Sequence, residues 1–272
     1  MAERSMLRYG GNTSCAEVTL SDGTELVLDA GTGIIGLGGA RSPSGDRVHL
    51  LLTHLHLDHI QGLLFFSPFH DSGARIDVWG PPGPRAGLRE RLGRYLSTPL
   101  SPIEIRELSA QVTFHDMPGG TWQIGPASVT AGLVSHRGPT LGYRIVEGHA
   151  TLCYLPDHEP GLGTGLAARD AQWISGHALA ERASLLIHDG QYTDEQYVKR
   201  RGWGHSSLAD ALAFAHRAET GQLILFHHDP THTDDQLDVV ADLAEDQWRS
   251  LGHPTGSVGL ATEGTTIEIP VA

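Results

Sequence analysis

The chain has 272 residues, 39% of them hydrophobic, and a formal net charge of −13 with its histidines neutral. The acidic balance argues against broad, non-specific binding to nucleic acid, which relies on basic surface, and no apolar run approaches the roughly 20 residues that span a bilayer. Residues 1–6 hold no apolar signal core, so the expectation is a cytoplasmic protein with one domain over 1–272.

Cys15 and Cys153 both fall in expected strands and read as buried thiols in a reduced compartment rather than a disulfide. Residues 14–20 and 25–29 read as a hairpin around the turn Ser21-Asp22-Gly23-Thr24. The next stretch, 29–36, contains a literal G-x-G-x-x-G after a strand. A dinucleotide site needs a helix opening at the last glycine and an acidic residue at the end of the next strand. The continuation through 37–43 reads as loop, so a dinucleotide site is not expected.

Residues 48–52, Val-His-Leu-Leu-Leu, read as a buried strand. It delivers Thr53-His54-Leu55-His56-Leu57-Asp58-His59 to one edge of a sheet. His54 and His56 are two apart, so in extended backbone they point the same way. Asp58 and His59 come as the chain turns into a helix expected over 60–66. Three imidazoles and a carboxylate within six residues suit zinc, iron and related ions, with the Asp58 oxygen fitting a second, harder position.

This run, with Gly62 close behind, resembles the signature of the metallo-β-lactamase superfamily, and within it the ribonuclease Z and phosphodiesterase-like branch. The resemblance runs over nearly the whole chain. It implies an αββα four-layer sandwich, two mixed β-sheets flanked by helices, around a hydrolytic site with two divalent metal ions, zinc first, with manganese and iron also compatible. It implies a homodimer by family habit. It places Asp29 behind the metal site as an orienting group; the alternative is a glycine-rich turn with no direct chemistry.

Further along, 75–79 reads as a strand, 85–96 as a helix, and 111–115 and 121–124 as short strands. Strand 127–133 ends before His136, which on its own is weak evidence; the family pattern places its third motif histidine here, as a metal ligand. Strands 141–146 and 151–155 follow, the second ending in Pro156-Asp157-His158-Glu159. By resemblance Asp157 bridges the two metals, although Leu-Pro-Asp stands where Gly-Asp is commoner, and Asp189 competes for the role. Strand 184–189 ends in His188-Asp189, similar to the His-Glu-Ala-Thr segment of ribonuclease Z with Asp189 for Glu. Gly204-His205-Ser206-Ser207 also resembles that branch, where the histidine contacts the scissile phosphate. His205 is then a proton donor oriented by Asp189; the alternative is that His205 and Ser206 cap a helix over 208–218, and both can hold. Strand 222–226 runs into His227, the family's last ligand by register, with His228 as the fallback. A helix over 233–251 and a strand pair over 257–269 close the chain.

The implied ligand sets are His54, His56 and His136 on one ion, and Asp58, His59 and His227 on the other, with Asp157 between. A metal-bound hydroxide is the nucleophile, Asp58 orients it and His205 serves the leaving group. The expected function is a phosphodiesterase acting on a cyclic nucleotide, a small phosphodiester or an RNA end. The sequence has no basic, glycine-rich insertion like the arm that grips transfer RNA in ribonuclease Z, so extended nucleic-acid binding is not expected. The alternatives are an acyl hydrolase (lactonase, thioesterase or β-lactamase-like), which leaves His205 without a role, and a nucleotide-sensing module on the same scaffold.

Overall fold

The computed structural model describes residues 4–40, 47–162, 166 and 169–270. The loop expected at 41–43 and the first three residues of the N-terminal stretch lie outside them. The chain divides into two compact units, Asn12–Pro126, and Met1–Gly11 with Ala127–Ala272.

In Asn12–Pro126, strands β1 (Ala16–Thr19) and β2 (Glu25–Leu28) form the expected antiparallel hairpin. Strands β3 (Arg47–Leu51), β4 (Arg75–Gly80) and β5 (Gln111–Asp116) then add in parallel, in the order β1-β2-β3-β4-β5. Central parallel strands are covered on both faces, which is why β2 to β4 read as near-continuous apolar runs. Leu26, Val27, Leu28, Leu50, Leu51 and Val78 are fully buried. Strand β6 (Gly120–Ile124) ends the unit.

Two expectations fail here. A helix, α1 (Ile34–Ala40), does open after the glycine-rich stretch read as continuing into loop. The glycines have a packing role: a Cβ on Gly31 would collide with the Asp58 carbonyl. The helix expected over 60–66 does not form; the chain makes 3-10 turns at Leu57–His59 and Leu63–Phe65 instead. Gly62 explains the break, because its amide donates to the Ala30 carbonyl at 2.9 Å and a Cβ there would strike the Gly31 carbonyl. Helix α2 (Leu88–Tyr95) starts three residues later than expected and buries Leu88 and Leu92, one turn apart.

The other unit carries β7 (Ala127–Leu133), β8 (Leu141–Glu147), β9 (Ala150–Leu155), β10 (Leu185–Asp189), β11 (Gln222–Phe226) and β12 (Val258–Leu260). Their order is β12-β11-β10-β9-β8-β7, parallel from β9 to β12 and antiparallel through β8. Helices α3 (His177–Ala180), α4 (Asp194–Val198), α5 (Leu208–Arg217) and α6 (Asp234–Ser250) accompany them. Helix α5 buries Ala211, Leu212, Phe214 and Ala215, and α6 buries Leu237, Val240, Ala244 and Trp248, one apolar stripe each. Ser207 Oγ caps α5 by accepting the Asp210 amide at 3.1 Å. The expected terminal strand pair is only β12; among the described residues 262–265 turn on a bond from the Thr265 amide to the Thr262 carbonyl.

Cys153 is buried in β9, and burial pushes its thiol up to about 12. Cys15 is only half-buried and precedes β1, so the expectation of a buried strand cysteine fails there. No disulfide joins the two. No described helix is long and apolar enough to cross a membrane.

Parallel strands bring their carboxyl ends to one edge, where ligands collect in α/β sheets. Asp29 and Thr53 follow β2 and β3, so they are neighbours. Asp157 and His227 follow β9 and β11, and Asp189 ends β10, so these also share an edge. Strand β7 runs in the same direction as β9, because β8 opposes both, and His136 leaves from that edge.

Candidate active site

Asp29 organises the first group of donors. It adopts φ 61°, a left-handed conformation that Asp tolerates better than most residues. Its Oδ1 accepts the Thr53 amide at 2.7 Å and the Thr53 hydroxyl at 2.9 Å, and its Oδ2 accepts Nδ1–H of His59 at 2.9 Å. With its proton on Asp29, the Thr53 hydroxyl is left to accept from Nδ1 of His54 at 3.1 Å. His54 and His59 therefore carry their protons on Nδ1 and present Nε2, a tautomer fixed by the outer bond. The His54 ring centroid lies 4.3 Å from that of His56 and 4.2 Å from that of His59. Nε2 of His59 lies 3.5 Å from Oδ2 of Asp58.

Asp157 organises the second group, with 1% of its surface exposed. Its Oδ2 lies 3.4 Å from Nε2 of His136, and its Oδ1 lies 3.4 Å from Nε2 of His227. Nδ1–H of His136 donates to the Gly204 carbonyl at 2.6 Å. Nδ1 of His227 lies 3.2 Å from the Gln191 amide nitrogen, while the Gln191 amide oxygen is buried without a hydrogen-bond partner among the described residues. Turned over, that amide accepts Nδ1–H of His227 on its oxygen, which again leaves Nε2 of His227 as the open nitrogen. His227 sits at φ 60°, a strained conformation for a non-glycine residue of the kind that gathers at functional sites. His228, the fallback, points elsewhere: its Nε2–H donates to the Ala261 carbonyl at 3.0 Å.

The competing bridge, Asp189, is committed to other partners. Its Oδ2 accepts Nδ1–H of His205 at 2.7 Å and the His158 amide at 3.2 Å; its Oδ1 accepts the amides of Gln191 at 3.0 Å and Ser206 at 3.1 Å. Burial disfavours the charged form of His205, but the charge and hydrogen bond of Asp189 outweigh it and raise its pKa above the usual histidine value. The His205 ring lies 5.0 Å from that of His136 and 5.1 Å from that of His227. The helix cap falls to Ser207, so His205 is left to its pair with Asp189.

Two features escaped the sequence reading. Glu159, 1% exposed, accepts the Tyr197 hydroxyl and the Gly202 amide on Oε1 and the Gly204 amide on Oε2, each at 2.8 Å. The one signal for it was a carboxylate two residues after Asp157 on the same strand end. His158 and His188 form a buried pair: Nδ1–H of His188 donates to the Asp189 carbonyl at 2.7 Å, so its Nε2 accepts from Nδ1–H of His158 at 2.9 Å.

Residues 24–228 match the family model described as a beta-lactamase superfamily domain. The chain belongs to the metallo-β-lactamase superfamily. It is 28% identical over 257 residues to ribonuclease Z of Mycolicibacterium gilvum, covering 84% of this chain and 80% of that protein. Human tRNase Z, short form, superposes with a TM-score of 0.67 at 21% identity, over 97% of this chain and 96% of that one. Zinc-bound PqqB from Methylobacterium extorquens gives a TM-score of 0.67 at 15% identity, over 97% and 98%. The two mixed sheets with their helices are those of the αββα fold, and the chain is a ribonuclease Z-like, metal-dependent hydrolase.

The donors of this metallo-β-lactamase-fold hydrolase fit a divalent ion of zinc type. Two ligands held at about 2.0–2.1 Å in a tetrahedral arrangement lie about 3.3–3.4 Å from each other. The His136–Asp157, His227–Asp157 and His59–Asp58 separations of 3.4, 3.4 and 3.5 Å match that edge and exceed the usual hydrogen-bond length.

Proposed function

We propose that the protein is a binuclear metal-dependent phosphodiesterase, with both units serving one hydrolase domain over 1–272. In this reading His54, His56 and His136 hold one divalent ion, Asp58, His59 and His227 hold the other, and Asp157 offers an oxygen to each. When bound, such a pair acidifies a water toward neutrality and neutralises the anionic oxygens of a phosphoryl group. Asp58, 40% exposed in its side chain, orients the attacking water.

The observation that carries the reading is the His205–Asp189 bond at 2.7 Å beside His136 and His227. A histidine whose Nδ1 is held by a buried carboxylate turns its other ring nitrogen to the task of a general acid for a departing alkoxide. Relatives named ribonuclease Z support phosphodiester chemistry. The substrate classes that follow are cyclic nucleotides, small phosphodiesters and RNA ends, with the net charge of −13 weighing against a long strand. Hydrolysis of bis(p-nitrophenyl) phosphate by the chelated protein, with zinc or manganese restored, tests the reading. Metal-dependent turnover is expected; a folded protein inert with both metals overturns it in favour of acyl substrates such as lactones.

A further inference from the structure

The sequence holds a single lysine, Lys199, and it opens the chain's one run of three basic residues, Lys199-Arg200-Arg201. In an acidic chain this run stands out. Lys199 and Arg201 are exposed, and Trp203 follows with 51% of its surface exposed. The Arg137 guanidinium lies 5.9 Å from the centre of the Trp203 indole.

Lys199, Arg200 and Trp203 edge an open cavity of about 770 Å³ between the α4 segment and α6, inside the range of about 300–1,000 Å³ typical of small-ligand sites. Its apolar wall is Trp203, Val239 and Leu243, and Val239 and Leu243 are 58% and 47% exposed. His232 closes one side, and the carboxylates of Glu195 and Asp235 also line the cavity, Asp235 paired with the Arg8 guanidinium at 3.3 Å.

The cavity is tied to the proposed reaction centre. The Arg200 guanidinium lies 5.0 Å from the Tyr192 ring, and the His205 ring meets that same ring edge-on at 5.8 Å. Trp203 stands two residues before His205, and His232 five residues after His227. The walls are therefore continuations of the segments that carry the proposed donor and a proposed ligand.

An exposed indole is a stacking surface for any planar ring, and a guanidinium and an ammonium beside it complement a phosphate. We propose that this cavity is a nucleotide subsite. The base lies against Trp203, Val239 and Leu243, and its phosphate pairs with Lys199 and Arg200. The nucleoside unit on the leaving-group side of a diester is thereby presented to His205. The placement beside the reaction rests on the phosphodiesterase reading; the binding does not.

A single lysine makes the test site-specific. The metal-loaded full-length protein is treated with an amine-acylating reagent in the presence of adenosine 5′-monophosphate or of inorganic phosphate, and acylation of Lys199 is read by peptide mass. The nucleotide is expected to slow acylation at least fivefold more than the same concentration of phosphate. Trp203→Ala and Arg200→Ala are each expected to raise the nucleotide concentration for half protection at least fivefold. A smaller difference between nucleotide and phosphate overturns the subsite and leaves simple charge attraction; so does half protection unmoved by Trp203→Ala. Bis(p-nitrophenyl) phosphate carries no base, so its turnover is scored apart. Turnover without nucleotide protection sinks the subsite and spares the phosphodiesterase. Protection without turnover sustains the subsite and sinks the phosphodiesterase.

Discussion

Oε2 of Glu159 accepts the amide of Gly204 at 2.8 Å, one residue before His205. Three donors converge on this buried carboxylate, and a glutamine has only one oxygen to meet them. Glu159→Gln leaves at least one donor facing an amide nitrogen, a loss of about 1–3 kcal/mol of stability. Glu159 acts through Gly204, as a positioning residue. The variant should lower kcat at least tenfold with KM within threefold, whereas Tyr197→Phe, which removes one donor and leaves the glycines in place, should stay within threefold in both. Steady-state kinetics at matched folded fraction decide it; equal kcat in Glu159→Gln and the native protein would remove the positioning role.

His205 and Asp157 separate two kinds of loss. His205→Ala should keep its metal content and lose about 10²–10⁴ in kcat, the usual size of a general-acid contribution. Asp157→Ala should lose metal, because its two oxygens each face a histidine nitrogen. Metal analysis beside phosphodiester turnover distinguishes them; a His205→Ala protein at the native rate would end the proton-donor role.

Asp29 reaches His59 directly and His54 through Thr53. Asp29→Asn removes one acceptor face and frees a ring to turn. Metal affinity should weaken about 10–100-fold, as for other groups that hold a ligand from behind. Competition against a chromophoric chelator measures this, and unchanged affinity would return Asp29 to a plain turn residue.

His188 sets a pH dependence. Burial lowers its pKa from 6.5 to about 4, so the folded chain keeps it neutral while the unfolded chain takes up a proton between those values. A depressed histidine pKa makes stability fall as pH drops through that window, with nothing lost above it. Urea unfolding of the chelated protein should show about 2 kcal/mol lost to this group between pH 7.5 and 5. His158, lowered by the same burial, adds to the loss. His188→Gln should flatten the slope; a slope equal to that of the native protein would exclude His188 as its source.

What was legible in the sequence was local. The apolar runs of β3, β9 and β11 announce themselves because parallel strands are covered on both faces, and each ends in the residues that matter. His54 to His59 is a single short segment, so its spacing speaks for itself. The failures are non-local. Gly62 interrupts a plausible helix because of Gly31, thirty-one residues earlier. The glycines of α1 read as loop, since glycine weakens a helix in isolation, yet packing supplies what propensity lacks. Glu159 is silent in the sequence because its partners, Gly202 and Gly204, lie more than forty residues on. His227 was legible by register, directly after the apolar run, whereas the bond of His228 to the Ala261 carbonyl, thirty-three residues on, was not.

Gly204 has φ 94°, and a Cβ there would press on the His136 ring, so the position is closed to other residues. Its carbonyl steadies His136, and its chain neighbour is His205. A ligand settling against His205 draws on the same three atoms of backbone that orient His136. Thermodynamic reciprocity makes any such coupling mutual: if a ligand that steadies His205 tightens the binding of an ion at His136, that ion tightens the ligand by the same factor in affinity.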